Sequence, residues 1–269
     1  GLINFAHGEI YMLGAFTALI VAGILGGIGL PWWGILVIAA LVAMVWCSAY
    51  GYTVEKVAYK PLRGASRLAP LISAIGMSTF LQNYVQLAQT SNSVPFPRLI
   101  PRRFSFLQDM GNFMAPGDFI MLVTSLLIMV ALALFIRYTK MGKAMRATAQ
   151  NRKMAMLLGI DADRIISLTF IIGSALAALG GTLIAARTGQ VGFAIGFLAG
   201  MKAFTAAVLG GIGSIPGAMI GGLILGIAEA LSSAYLSTEY KDVVSFALLI
   251  LVLLVMPTGI LGRPEVEKV

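Results

Sequence analysis

The sequence predicts an all-α fold, a polytopic bundle of transmembrane helices, and three observations carry that prediction. Hydrophobic residues make up 59% of the 269 and charged residues only 11%, with a mean hydropathy of +0.92. A soluble domain carries roughly 25% charged residues, so this chain lacks the polar side chains needed to cover a globule in water. The apolar residues also run in charge-free stretches: Ile10–Val54, Leu68–Pro97, Phe119–Ile136, Ile165–Ala186, Ala203–Ala228 and Val243–Gly262. Each is long enough to cross or nearly cross a bilayer, which takes ~20 residues of helix. The third observation is negative: the ~10-residue alternating segments of a transmembrane β-barrel do not occur.

Taken in order, Ile10–Val54 is too long for one span and breaks at Gly26-Gly27-Ile28-Gly29-Leu30-Pro31, a helix stop followed by a proline suited to a first helical position. Trp32-Trp33 then reads as an interfacial pair. Two helices are expected, about 8–27 and 32–55, followed by a basic connector with Lys56, Lys60, Arg63 and Arg67. A third helix covers about 68–89 and leads into a polar loop, 90–116. The fourth covers about 117–137. The most charged part of the chain follows, and a fifth helix occupies about 164–187. Thr188–Gly200 interrupts the pattern before a short helix, about 198–209, that ends at Gly210-Gly211-Ile212-Gly213. Two further spans, about 216–235 and 241–257, complete a count of about seven spans plus one short or re-entrant helix. A single transmembrane domain over 1–269 is expected. The sequence has neither an initiator Met nor a basic region ahead of a cleavage site, so a further segment is expected upstream.

Charge sets the orientation. The connectors at 55–67 and 137–164 and the C-terminus hold thirteen of the 19 Lys and Arg, while the opposite loops hold five and Lys202 lies inside a helix. The richer side is expected to face the cytoplasm. The same clustering argues against nucleic acid as the partner of a chain with formal charge +8; the positives lie where a membrane protein meets lipid headgroups.

Catalytic motifs do not assemble. Gly142-Lys143-Ala144 lacks the upstream glycine and the Ser/Thr of a phosphate-binding loop, and the single histidine rules out a paired-histidine zinc site. One cysteine, Cys47, excludes a disulfide framework and a cysteine metal site. The chain is expected to hold no cofactor or metal and to be no enzyme. If nucleotide drives its function, a partner must hydrolyse it.

Four features are candidates for function. At the start, "NFAHGE" places His7 and Glu9 at the lip of the first apolar run. Asn4 is expected to cap a helix starting at Phe5, with Glu9 near its positive end. Such a broken helix end either packs inside protein or lines a substrate path or gate, and the residues leave both open. Lys202, with small neighbours such as Thr205 and Ala206, can pair with Glu229 directly or through water, because an unpaired charge inside a membrane is costly; plain packing of the two helices is the other reading. Glu229 lies seven residues beyond Gly222, on the face of a ladder formed by Ala218, Gly222, Gly226 and Ala230; Gly173, Ala177 and Gly181 form another. Ser78, Gln82, Gln86 and Gln89 make a polar stripe at helical spacing that suits interhelical hydrogen bonds.

The last candidate is Met141–Ile160, "MGKAMRATAQNRKMAMLLGI". It is short for a span, basic on one side, and bracketed by Gly142 and Gly159. Its apolar residues are small or flexible. A helix lying on the anionic inner surface and a helix docking in a partner's groove fit equally. In the docking reading Ala149 and Ala155 let the helix seat deeply, Met145 and Met154 adapt to the groove, Gly159 ends the helix and Asp161 caps the next one. Ala155→Arg is then expected to detach the partner.

Several stretches together resemble the permease subunits of branched-chain amino acid ABC importers: Asn4–Glu9, Gly142–Ile160 and "KAFTAAVLGGIGSIPGAMIGG" at Lys202–Gly222. The last is the most specific, since its Gly and Pro spacing is unusual for a plain span. The resemblance runs through essentially the whole chain and implies a further N-terminal helix before Asn4–Glu9. It implies half of a translocation pathway for leucine, isoleucine or valine, in the bacterial inner membrane. It implies a heterodimer with a second homologous permease subunit, two cytoplasmic ATP-binding subunits and a periplasmic amino-acid-binding protein. It makes 138–163 the coupling loop to the ATPase, with Gly142, Met145, Arg146, Ala149 and Asn151 in its first half and Met154, Ala155, Leu158, Gly159 and Ile160 in its second. Asn4, His7, Glu9, Lys202, Thr205, Gly210, Gly211, Gly213 and Glu229 are the candidates for a pathway or gate. A permease for sugars or nucleosides is the alternative within the superfamily. Outside it stand an ion-coupled secondary transporter, against which the spans offer few titratable groups, and a channel, whose repeated filter motifs are absent from the sequence.

Overall fold

Glycine and proline set the helix boundaries. The structure, a computed structural model, describes residues 4–66, 68–101, 114–256 and 258–262. Helix α1, His7–Leu25, stops at the glycine run, where Gly29 takes φ +74°. Pro31 is the N-cap of α2, Trp32–Val54. The chain does not leave the helix at residue 55 as expected. It continues through a π turn at Glu55–Tyr59 and a 3₁₀ turn at Lys60–Leu62, so Lys56 and Lys60 are helical. Helix α3 is Leu68–Ala88 and a short strand β1, Val94–Pro95, follows. Helix α4 is Pro116–Tyr138, α5 is Lys140–Gln150, α6 is Arg152–Leu157 and α7 is Ala162–Thr188. After strand β2, Gln190–Val191, come α8, Ile195–Gly210, α9, Ile215–Tyr235, and α10, Lys241–Val255.

The all-α prediction holds, and the two-residue strands are its only exception among the described residues. Among the described residues, five helices are long and apolar enough to cross a membrane: α1, α2 with its extension to Leu62, α4, α7 and α9. The sequence also predicts spans at α3, which has the length for one, and at α10. Ser78, Thr79, Gln82, Asn83 and Gln86 dilute α3. Helix α10 has 15 residues, about 22 Å of helix against a hydrocarbon core of about 30 Å.

The described residues of Gly1–Ile128 and Leu134–Leu198 form one compact unit, and those of Met129–Ala133 and Ala199–Val269 form a second. In the first unit α1, α2 and α7 pack on one another through small residues. Ala15, Ala18, Ala39, Ala43, Ala178 and Ala185 are fully buried. A Cβ at Gly14 would fall on Ala178, one at Gly51 on the Ser174 side chain, and one at Gly181 on the Tyr11 carbonyl. Lipid gives helices no hydrophobic drive to associate, so close backbone approach supplies the dispersion energy instead. The expected ladder on α7 therefore packs at Ala177 and Gly181. No residue of α4 is buried among the described residues.

One end of the first unit is closed by the antiparallel pair β1–β2, with Val94 opposite Val191 and Pro95 opposite Gln190. The Phe96 amide extends this ladder by donating to the Gly189 carbonyl at 2.9 Å.

In the second unit α9 meets the Ala199–Gly210 part of α8 through Gly217 and Gly221. Their Cβ positions would fall on the carbonyls of Gly210 and Ala206. This is one residue earlier in register than the expected face: Gly226 has nothing within 4 Å of its Cβ position, and Gly222 meets only the Ala206 Cβ at 3.9 Å. Serine starts α9, with the Ser214 hydroxyl accepting from the Gly217 amide at 3.1 Å.

Candidate pathway and coupling sites

The N-terminal candidates separate. Helix α1 begins at His7 with Ala6 as N-cap and no side-chain capping bond, so Asn4 is not the cap that the sequence suggests. Its Oδ1 instead accepts from the Tyr59 hydroxyl at 2.6 Å, which ties the chain start to the α2 extension. Glu9 does lie in the first turn and is fully buried. Its Oε1 accepts from the Ser78 hydroxyl at 3.0 Å, while Oε2 is buried with no hydrogen-bond partner among the described residues. Gly196 makes room for this carboxylate: a Cβ there would stand 2.5 Å from Oε2. Of the polar stripe on α3, only Ser78 is buried. His7 is half-buried, with its Cε1 3.7 Å from the Cβ position of Gly173.

In the second unit the candidate charge pair forms. Lys202 Nζ is 2.9 Å from Glu229 Oε1 and 3.0 Å from Oε2. Two members were missed: Asp242 Oδ1 lies 2.9 Å from the same ammonium, and the Ser245 hydroxyl donates to Glu229 Oε1. The signal for Asp242 was present as an acid in the first turn of an apolar helix, but nothing in the linear spacing joins that turn to Lys202. Thr205 is fully buried and returns its hydroxyl to the Met201 carbonyl at 3.0 Å. Gly210 is held against Gly217. Gly211 and Gly213 adopt φ +104° and +92°, conformations that favour glycine. Gly211 is in addition pressed against Gly262.

Met141–Ile160 is not the single helix expected but two. Asn151 interrupts it with extended backbone, φ −155° and ψ 104°, and its side chain accepts from the Met154 amide at 3.1 Å, starting α6. Asparagine competes with the helix for its own backbone donors, and here that competition wins. Thr139 caps α5 through the Gly142 amide at 2.9 Å. Gly142 allows the tight turn from α4, since a Cβ there would fall on the Ile136 backbone. Gly159 has φ +81°, and Ile160 donates to the Ala155 carbonyl at 3.0 Å. Asp161 caps α7 as expected, accepting from the amides of Asp163 and Arg164.

The side chains of this segment fall on unexpected faces. Ala155 is 2% exposed, turned to its own chain and not outward. The apolar groups presented outward are Met154, Met156, Leu157 and Leu158, the two leucines 80% and 76% exposed. Met145 and Ile160 are half-buried, and Ala149 is exposed. Arg146 is exposed and donates to the Arg137 carbonyl at 3.3 Å.

Beside α6 stands a charge network that sequence reasoning did not find. Asp163 receives Arg63, Arg152 at 2.8 Å and Lys60 at 3.7 Å. Arg63 also holds Glu55, which is fully buried and accepts the Ser167 hydroxyl at 2.8 Å. These contacts bring the 56–66 connector and the α5–α6 segment to the same end of the unit. The ladder at 94–95 and 190–191 lies at the far ends of α3 and α7.

Over residues 1–253 the chain matches a family described as branched-chain amino acid transport system / permease component. It is 58% identical over 272 residues to the high-affinity branched-chain amino acid transport system permease protein LivH of Escherichia coli (strain K12), an alignment covering 100% of this chain and 88% of that protein. It is 53% identical to the corresponding permease protein BraD of Pseudomonas aeruginosa, covering 100% and 89%. Identity to a probable LivH of Methanocaldococcus jannaschii is 28%, covering 96% and 82%. No solved structure matches the chain.

Proposed function

The chain belongs to the permease family of branched-chain amino acid transport systems, and from that premise we propose how it works. It is a multi-pass membrane permease subunit of a branched-chain amino acid ABC importer. It forms half of the pathway for leucine, isoleucine or valine, paired with a second homologous permease subunit in the bacterial inner membrane. A periplasmic amino-acid-binding protein delivers the substrate and two cytoplasmic ATP-binding subunits drive the transfer. The buried Glu9 in the first unit and the Lys202–Glu229 pair in the second are each candidates for a pathway or gate, since charges in apolar surroundings are retained only with partners or water.

One observation carries the coupling assignment. A short helix pair, α5–α6, follows a span at the basic end of the chain and holds Met154, Met156, Leu157 and Leu158 out from the protein. Apolar groups on a helix of six residues fit a shallow groove in a partner. Because Ala155 faces its own chain, the test passes to a residue that points outward. Leu157→Arg should leave the permease abundant and membrane-inserted, yet remove the ATP-binding subunits from affinity-purified complexes. A variant that keeps both the subunits and their substrate-stimulated hydrolysis makes α6 a membrane-surface helix.

A further inference from the structure

Docking alone moves nothing, because a helix pushed by a partner must pass the push into the spans. Among the described residues, Arg152–Asp163 is the one ion pair between α5 or α6 and the rest of the chain, beside the Arg146 bond to the Arg137 carbonyl and the buried Ala155. Asp163 is no ordinary surface acid. It stands in the first turn of α7, where an anion is favoured, and gathers cations from two other segments: Lys60 and Arg63 from the α2 extension and connector, and Arg152 from the first turn of α6.

The network has two layers of unequal stiffness. In the inner layer Glu55 is fully buried and Arg63 is 9% exposed, and breaking such a pair leaves a buried charge without a partner. That layer welds the end of α2 to α7 through the Ser167 hydroxyl. In the outer layer Arg152, Asp163 and Lys60 are 38%, 41% and 42% exposed, so each contact is weak by itself and exchangeable. Asp163 belongs to both layers through Arg63. Three cations share two carboxylates, so the loss of Asp163 releases all three outer contacts at once and leaves Glu55 with Arg63.

We propose that Asp163 is a positioning residue for energy coupling: it fixes α6 to the ends of α2 and α7, so that displacement of the docked helix moves both spans. The proposal rests on the reading of α6 as the ATPase contact. It adds that contact and transmission are carried by different residues, the outward leucines for contact and Asp163 with Arg152 for transmission.

The test uses the complete importer, with both permease subunits, the ATPase subunits and the binding protein, in proteoliposomes. Asp163→Asn and Arg152→Gln should retain the ATPase subunits at wild-type stoichiometry and keep basal hydrolysis. Stimulation of hydrolysis by substrate-loaded binding protein and amino acid uptake should both fall about tenfold, within the range of ordinary coupling between sites. Asp163→Glu, which keeps the charge, should restore both. Wild-type stimulation and uptake in Asp163→Asn overturns the proposal, and so does loss of the ATPase subunits from that variant, which would make Asp163 part of the contact. If Asp163→Asn does not accumulate, Arg152→Gln decides by the same outcomes. Failure of the underlying reading looks different: Leu157→Arg then keeps its ATPase subunits, whereas failure of the junction alone leaves Leu157→Arg detached and Asp163→Asn normal.

Discussion

Glu9 and Lys202 are both charges in apolar surroundings, and the chain accommodates them by different means. Glu9 is given one hydroxyl, from Ser78, and a glycine, Gly196, whose missing side chain leaves room for the carboxylate. Ser78→Ala removes the donor and should cost about 1–3 kcal/mol, read as a lower thermal midpoint of the purified complex; an unchanged midpoint means that water already serves Glu9. Lys202 is given two carboxylates, so Glu229→Gln leaves it paired with Asp242. The expected loss is about 1–3 kcal/mol, with reduced uptake at near-normal abundance. Exchanging the charges, Lys202→Glu with Glu229→Lys, should recover only part, because the new acid stands beside Asp242. Full recovery would show that Asp242 does not share the site. The pair itself was legible, since one cation and one acid on helices of small residues have few other options. Asp242, Ser245 and Asp163 were not, because their partners come from segments whose proximity only the packing determines.

At the scale of elements, glycine and proline punctuation located most helix ends to within three residues, because the breaks at Gly26–Pro31 and Gly210–Ser214 use backbone that side chains resist. Two elements escaped. The helical continuation through Leu62 has the composition of a connector, and it persists because Glu55 and Tyr59 are buried on it. The break at Asn151 was hidden in a run that is otherwise helix-forming. Asn151→Ala should remove the cap, at a cost of about 1 kcal/mol, and favour one continuous helix from Lys140 to Leu157. The leucines would then turn away from their present direction. The expected result is weaker retention of the ATPase subunits with normal membrane insertion, and unaltered retention would separate docking from the bend. At Gly159, with φ +81°, a β-branched side chain is resisted by about 1–2 kcal/mol. Gly159→Val should therefore lower the thermal midpoint more than Gly159→Ala.

Over the whole molecule, composition made the membrane class plain, whereas the number of spans depends on lengths that composition blurs. Helix α10 ends at Val255, two residues short of the span expected, and α3 carries a polar face that Ser78 uses for Glu9. The grouping of the connectors is better determined than the count, because contacts within the first unit place them at its two ends. Lys60 and Arg63 meet Asp163 at one end, and residues 94–96 meet 189–191 at the other. The 21 residues of α3 join the two ends, about 31 Å of helix, which matches a hydrocarbon core of about 30 Å. Ser66 and Asn92 lie just outside the two ends of α3, and both are exposed. Single cysteines there require a background without Cys47, which is buried with its thiol directed to the Ile10 carbonyl at 3.6 Å. A serine hydroxyl can make the same bond, so Cys47→Ser should be tolerated. In that background a membrane-impermeant thiol reagent should label Asn92→Cys in intact spheroplasts and Ser66→Cys only after the membrane is opened, if the connectors rich in Lys and Arg face the cytoplasm as their charge predicts. Labelling of both from outside would mean that α3 does not cross the bilayer. The reverse pattern would invert the whole arrangement and place Leu157 and Leu158 where no ATPase can reach them.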